Sequence, residues 1–443
     1  MSAFVANPRE RATLSFIDFF RSTAPYIHAH RNKSLVLFVT GEALAHANAS
    51  NLVPDIALLN SLGLRIVLVF GSTPQVAGAL AQGGSDNTAL WNSQPIDRDR
   101  MRTIVEVQSS LRTSIEAQFS LGLVNSPMHN AKVRCISGNF IQAQPLGVIN
   151  GVDQEYAGRV RNIDHQAINQ LLDHRSIVLI PASGYSSTGE IFSLLPHDIA
   201  VSTAAALHAD KLIILNTAHD INQNPTLREL SIARSELLLA GLTQKSAEAT
   251  DLSAAIKSCQ LGIARCHMLS VDQDGSLLNE LFTRDGTGLL VTNEAYDSVR
   301  QATINDVAGI MQLLEPLEAQ GILVKRSREL LEQEIAHFVV NERDGMIIGC
   351  AALYPFGDHT AELACVAVHE HYRHSHRGDH LLKAIETMAK TQGIQQIFVL
   401  TTQTAHWFIE RGFEASTVSA LPDRKKDLYN FQRNSKVFCR HLA

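Results

Sequence analysis

The residues best suited to chemistry lie between Leu363 and Lys390, in LACVAVHEHYRHSHRGDHLLKAIETMAK. An apolar run ends in His369, His371, Arg373, His374, His376, Arg377 and His380, and a helical pattern follows. Two chemistries suit such a cluster. His371, His374 and His376 could offer imidazoles to a metal. Against that, no two histidines stand at i and i+4 on a helix, no cysteine pair is near, and Arg373 and Arg377 would repel a cation. No metal is expected here. The second chemistry is anion binding. The helix after the loop carries Leu381, Leu382, Ile385, Met388 and Ala389 on one face, and its first turn is expected near Gly378 and Asp379. Free N–H groups there carry partial positive charge and suit phosphate. Gly378 admits close backbone approach, and the two arginines add charge-assisted hydrogen bonds. Strand, basic loop and helix start would then form a pyrophosphate cradle. A solvated basic loop before an ordinary helix explains the same residues equally well.

The elements that must position this cluster follow from the apolar patterning. The chain has 443 residues, 45% hydrophobic and 19% charged, with a formal net charge of −6. That supports two to three domains with sizeable cores. No long basic run argues for a nucleic-acid or anionic-membrane partner, and no apolar stretch reaches the length of a membrane helix. The N-terminal MSAFVANPRERATLSF lacks the pattern of a secretion signal. Six scattered cysteines without a CxxC pair fit reduced thiols in the cytoplasm. LVLFVTG (35–41), RIVLVFG (65–71), SIVLIPASG (176–184), KLIILN (211–216) and IARCHMLS (263–270) read as buried strands alternating with helices, hence α/β with a mainly parallel sheet. Ligands in such folds sit at the carboxyl ends of the strands. The rhythm restarts near residue 297. A strand and helix at 299–314, capped by Asn305 or Thr303, precede adjacent strands at 346–356 and 361–370. A helix (379–391), a strand (396–401), a helix (405–412) and a final segment (435–442) complete the chain.

The second part resembles a GNAT-type N-acetyltransferase. The acetyl-CoA loop of that family, Gln/Arg-x-x-Gly-x-Gly/Ala, becomes Arg373-His374-Ser375-His376-Arg377-Gly378 here, with His376 in place of a glycine. The preceding Cys365, Val366, Ala367 and Val368 match the strand whose backbone holds the pantetheine arm. The whole chain, from about 12 to 442, resembles bacterial N-acetylglutamate synthases of the two-domain type. GILVKRSRELLE, GCAALYPF, ELACVAV, LTTQTAHWFIERGF and RNSKV occur in order and carry that resemblance. It implies an amino-acid-kinase-like open, mainly parallel α/β sheet sandwich over residues 1–296. A GNAT-type α+β acetyltransferase domain follows over 297–443.

Such an enzyme moves acetyl from acetyl-CoA to the α-amine of L-glutamate. The amine must lose a proton to attack, and the resemblance puts the base at Glu362. As an ordinary strand residue, Glu362 would be an edge carboxylate. A donor must meet the charge that builds on the thioester oxygen, and a backbone N–H of 365–368 can serve. The family places a hydroxyl near the departing thiolate at the position of Thr401, which otherwise is simply a good strand residue. The resemblance assigns the two carboxylates of glutamate to Arg326, Arg433 and Ser435 and to the backbone of Val324 and Cys365. Arginine pairs suit them because the guanidinium fork is bidentate. Lys325 and Arg328 read as surface charges, and Asp379 falls in the cofactor loop.

The first part has a kinase shape without kinase residues. Kinase relatives carry a strand lysine where Phe38 stands, a glycine where Thr40 stands, an aspartate where His197 stands, and an arginine where Gln94 stands. Phosphoryl transfer is not expected. The family uses this frame to bind L-arginine as a feedback inhibitor. The segment 11–31 resembles the extra helix of arginine-sensitive members, with Tyr26 lining the effector site. GSLLNELFTRDGTG supplies Glu280 for a guanidinium and backbone near Gly286 and Gly288. Tyr26 and Glu280 read equally well as an interface tyrosine and a surface carboxylate. Homo-oligomers, often hexamers, are implied. Two rival functions remain at this level: a GNAT enzyme with another amine acceptor, and an arginine-sensing regulator with a degenerate transferase half.

Overall fold

The computed structural model describes residues 20–82, 95–120, 133–217, 228–243, 246–283, 286–293, 298–343, 345–357, 359–373, 377–427 and 435–442. The chain folds as two compact units, Met1–Glu294 and Ala295–Ala443. Among the described residues no helix is long and apolar enough to cross a membrane.

The first unit is built on an eight-stranded sheet. Its order is Glu229–Ser231, Leu289–Thr292, Arg265–Ser270, Lys211–Asn216, Ser34–Val39, Arg65–Phe70, Ile177–Ile180, Cys135–Ser137. Every pairing is parallel except that of Arg265–Ser270 with Leu289–Thr292. The central strands are buried on both faces, as parallel sheets covered by helices require. Val36 and Phe38 point into one core, Leu35, Leu37 and Val39 into the other. Unforeseen is a second sheet of four short strands between 141 and 193, mostly antiparallel. Its strands have three to six residues, too short for a stable alternation to show. The fold class agrees with the expectation from the alternating apolar runs.

The second unit holds a seven-stranded sheet. Its order is Ser298–Gln301, Phe338–Arg343, Met346–Gly357, Thr360–Val368, Gln396–Thr401, Lys436–His441, Glu414–Ser416. All pairs are antiparallel except Thr360–Val368 with Gln396–Thr401. Helices Val307–Ala319 and Arg377–Thr391 cover its two faces. Of the two candidate caps, Thr303 serves, in a capping box with Asp306. The helix expected at 405–412 is shorter, Ala405–Ile409, and Gly412 follows it at φ +77°.

Candidate active site

The centre of the second unit is a sheet that opens. Thr360–Leu363 pair in parallel with Gln396–Val399, and there the pairing stops. Thr360–Val368 nevertheless runs on, still paired to Met346–Gly357 on its other side. The register on that side slips between Cys350 and Ala352, with the extra residue on the Thr360–Val368 strand. At the slip Cys365 takes φ +53°. A left-handed residue inside a strand is a bulge that bends the strand away from its neighbour. For a side chain other than glycine this conformation costs about 1 kcal/mol or more. Burial of the thiol, 3% exposed among Cys350, Ala364 and Ala367, offsets that cost. The result is a wedge with the backbone of 364–368 along one wall, able to pair with an extended ligand as a strand edge does.

Burial pushes the Cys365 thiol up to about 11, and Arg326 only partly opposes it. A thiol so placed is neutral and no nucleophile.

At one end of the wedge lies the helix Arg377–Thr391. It begins at Arg377, two residues before the expected start at 379. Arg373 donates through Nε to the Val368 carbonyl at 3.3 Å. Arg377 donates to the Tyr372 carbonyl at 3.3 Å and lies over the Tyr372 ring at 5.2 Å. His374, Ser375, His376 and the side chain of His371 lie outside the described residues. Gly378 has a reason the sequence did not disclose: a Cβ there would stand 2.8 Å from Trp407 Cζ2. Asp379 forms an ion pair with Arg411. Its carboxylate is thus engaged by a guanidinium, and its backbone N–H belongs to the first helical turn. Among the described residues no group of His, Cys, Asp and Glu could hold a metal ion.

Glu362 faces the other side of the wedge. It stands opposite Tyr354 on one neighbouring strand and beside Phe398 on the other. Lys425 Nζ donates to its Oε2 at 2.6 Å, with side chains 18% and 10% exposed. Lys425 comes from a one-turn helix, Asp423–Lys426. Arg326 lies 6.0 Å from the Tyr354 ring and donates to the Val324 carbonyl at 3.3 Å. Burial works against its charge, but Cys365, Tyr354 and Glu334 outweigh it and the net direction is upward. Tyr354 in turn donates to Glu334 at 2.7 Å. Val324 is exposed, Ser435 is half-buried, and Arg433 lies outside the described residues. Thr401 is buried, and its hydroxyl accepts from the Thr404 N–H at 3.1 Å and pairs with the Thr404 hydroxyl at 2.9 Å. It thus closes the turn into Ala405–Ile409; one of the two threonine hydroxyl protons donates within the pair, and the other is left to donate elsewhere. The wedge brings together Glu362, Cys365 and Arg326. Lys425, Tyr354 and Trp407 are the participants that sequence reasoning missed.

In the first unit the kinase departures converge. Phe38 packs edge-on against His197 at 4.7 Å. His197 bonds to Asp251 at 2.7 Å, Asn216 donates to the same carboxylate at 2.6 Å, and Thr40 donates to Asn216 at 2.9 Å. A self-satisfied polar chain thus fills the carboxyl end of two central strands. Gln94 lies outside the described residues.

The candidate effector residues also meet. Residues 20–30 are helical, and Tyr26 packs on the cluster that contains Leu277, Leu281 and Phe282 of the helix Ser276–Phe282. His30 Nε2 bonds to the Leu281 carbonyl at 2.8 Å. Glu280 is 6% exposed and accepts from Thr287 N–H at 2.6 Å, Gly288 N–H at 2.9 Å and His267 Nδ1 at 2.5 Å. It is no surface carboxylate. Burial pushes its carboxyl up, but the hydrogen bonds from His267 and from the two N–H groups outweigh burial and hold it well below the ordinary carboxylate range. Burial lowers His267 below its ordinary value. An ionised Glu280 calls for the Nδ1–H tautomer, which leaves His267 Nε2 as a buried acceptor with no partner among the described residues. Gly286, at φ +57°, has no room for a Cβ beside Glu280.

The splayed parallel pair, the bulged strand and the helix start across from it define the second unit as an acetyltransferase of the GNAT type. The Acetyltransferase (GNAT) family matches residues 308–413, and the Amino acid kinase family matches 33–247. Amino-acid acetyltransferases of Pseudomonas syringae pv. tomato and Azotobacter vinelandii are each 47% identical over 428 residues, 96% of this chain and 98% of theirs. The N-acetylglutamate synthase of Neisseria gonorrhoeae complexed with coenzyme A and L-arginine is 34% identical, covers 96% of this chain and 99% of its own, and has a TM-score of 0.82. Its complex with coenzyme A and N-acetyl-glutamate gives 35%, 97%, 99% and 0.61. The chain belongs to the two-domain amino-acid acetyltransferases, the bacterial N-acetylglutamate synthase family.

Proposed function

We propose that this protein transfers the acetyl group of acetyl-CoA to the α-amine of L-glutamate, giving N-acetyl-L-glutamate and coenzyme A. In this reading residues 297–443 are catalytic and 1–296 bind L-arginine, which inhibits this opening step of arginine biosynthesis. The observation that carries the reading is the wedge: an open backbone edge at 364–368, flanked by Glu362 and Arg326 on one side and by a helix start with Arg373 and Arg377 on the other. The pantetheine arm pairs with the edge. Its diphosphate meets the N–H groups of Arg377, Gly378 and Asp379 and the loop Arg373–Arg377. Arg326, Arg433 and Ser435 hold the side-chain carboxylate of glutamate, and the N–H groups of Val324 and Cys365 hold the α-carboxylate.

Glu362 takes a proton from the ammonium group, directly or through a water. The neutral amine attacks the thioester carbonyl, whose developing oxyanion meets a backbone N–H of 365–368. The C–S bond breaks, the attacking nitrogen gives up its second proton to become the amide, and that proton reaches the departing thiolate, relayed by the hydroxyl of Thr401 or a water beside it. Transfer is direct, within a ternary complex, and needs no metal. For arginine, the buried Glu280–His267 pair, the backbone at Gly286 and Gly288, and the helix carrying Tyr26 form the candidate site. The protein acts as a cytoplasmic homo-oligomer.

An acetylation assay with glutamate, with and without arginine, tests the whole. Arg326→Ala should raise the KM for glutamate by at least about tenfold, the loss of one charge-assisted pair, with the KM for acetyl-CoA little changed. An unchanged glutamate dependence removes Arg326 from the site.

A further inference from the structure

The first turn of the helix Arg377–Thr391 carries a carboxylate, Asp379, at the place where the reading above puts a diphosphate. An uncompensated negative charge there repels the ligand that the helix start attracts. Arg411 answers it. Its guanidinium pairs with the part-buried Asp379, lies over the Trp407 ring at 4.1 Å, and donates to the Trp407 carbonyl at 2.9 Å; a looser contact at 3.3 Å goes to Glu410, whose side chain is 72% exposed and so largely screened by solvent. Trp407 in turn abuts Gly378, where no Cβ would fit. Arg411 and Trp407 come from the segment that follows Thr401, more than twenty residues beyond the helix start in sequence. A stacked and hydrogen-bonded guanidinium cannot swing away toward solvent as a lysine would, so the neutralisation is built in.

We propose that Arg411 is a positioning residue for acetyl-CoA: it cancels the Asp379 charge and, through Trp407, pins the first helical turn so that the turn accepts a diphosphate. The inference rests on the cofactor reading above and deepens it. Arg411 need touch neither substrate.

The test compares two acetyl donors, acetyl-CoA and S-acetylpantetheine, which lacks the diphosphate. Arg411→Met should raise the KM for acetyl-CoA about tenfold, the scale of one partly screened charge contact, with kcat at saturation largely kept. It should change the KM for S-acetylpantetheine by less than about twofold on the same ground. Adding Asp379→Asn to Arg411→Met should restore most of the acetyl-CoA affinity, because the carboxylate that Arg411 cancelled is gone. If Arg411→Met does not fold, Arg411→Gln, which can still donate to the Trp407 carbonyl, carries the same expectation. Equal losses with both donors, or no recovery in the double variant, would show a packing role only and overturn the inference. A wild-type protein that uses the two donors with equal KM would overturn the cofactor reading itself, and the inference with it.

Discussion

His30 offers a local test of how the first unit holds its amino-terminal helix. Its ring is 9% exposed, bonded to the Leu281 carbonyl and tilted against Phe282 at 6.2 Å. Burial lowers its pKa from 6.5 to about 4; Lys211, His267 and Arg265 lower it too, and the Leu281 carbonyl only partly opposes them. The folded state therefore binds fewer protons than the unfolded one between pH 6.5 and about 4. Stability from this group is fully present above 6.5 and drains away as the pH falls through about 4. At about 1.4 kcal/mol per unit the total is on the order of 3 kcal/mol. That exceeds what holds many terminal helices, so residues 20–30 should open locally before the sheet does. Hydrogen exchange of the amides of 20–30, converted to opening free energies from pH 7.5 to 4.5, reads this directly. His30→Gln keeps a donor for Leu281 and does not titrate there. The wild type should lose on the order of 2 kcal/mol more than the variant across that range. Equal pH dependence in the two would refute the reasoning, since Glu280 and His267 remain in both.

Four further outcomes follow from the sites. Cys365→Ala should keep kcat within about fivefold, because a buried neutral thiol takes no part in chemistry and only its backbone matters; a loss of a hundredfold in steady-state assays would contradict this. Glu362→Gln should lower kcat by at least about a hundredfold with the acetyl-CoA KM kept, and near-normal turnover would eliminate Glu362 as base. Lys425→Met leaves the Glu362 carboxylate without its 2.6 Å partner. Its urea-unfolding cost should fall between the roughly 1 kcal/mol of exposed pairs and the ~3–5 kcal/mol of fully buried ones; no measurable loss would mean the pair is solvated. Gly288→Ala would put a Cβ 2.6 Å from the Met268 carbonyl and displace an N–H that Glu280 accepts. Arginine inhibition titrations should then show a clearly higher half-inhibitory concentration, and an unshifted titration would remove Gly288 from the effector site.

Much of the architecture could be read in advance wherever a short stretch carries its own periodicity. LVLFV is buried on both sides wherever it is placed, so it had to be a central strand. The stripe from Leu381 to Ala389 had to face a core. The residues that meet in the wedge were legible only through resemblance to a family, since Glu362, Cys365 and Arg326 lie in separate runs with unremarkable spacing. The small sheet between 141 and 193 escaped because its strands are too short to repeat a pattern.

Sequence by itself determined what is local: which segments bury a face, where turns break them, and which charged and polar types are on hand. Tertiary structure alone decided what depends on distance between remote residues. The bulge at Cys365 arises from register against a neighbouring strand. Lys425 reaches Glu362 across 63 residues, Arg411 reaches Asp379 across 32, and Glu280 gathers His267 and two backbone donors. Electrostatic energy and steric exclusion depend on separations of a few ångströms, and neither composition nor periodicity encodes a separation between residues that the chain brings together only by folding.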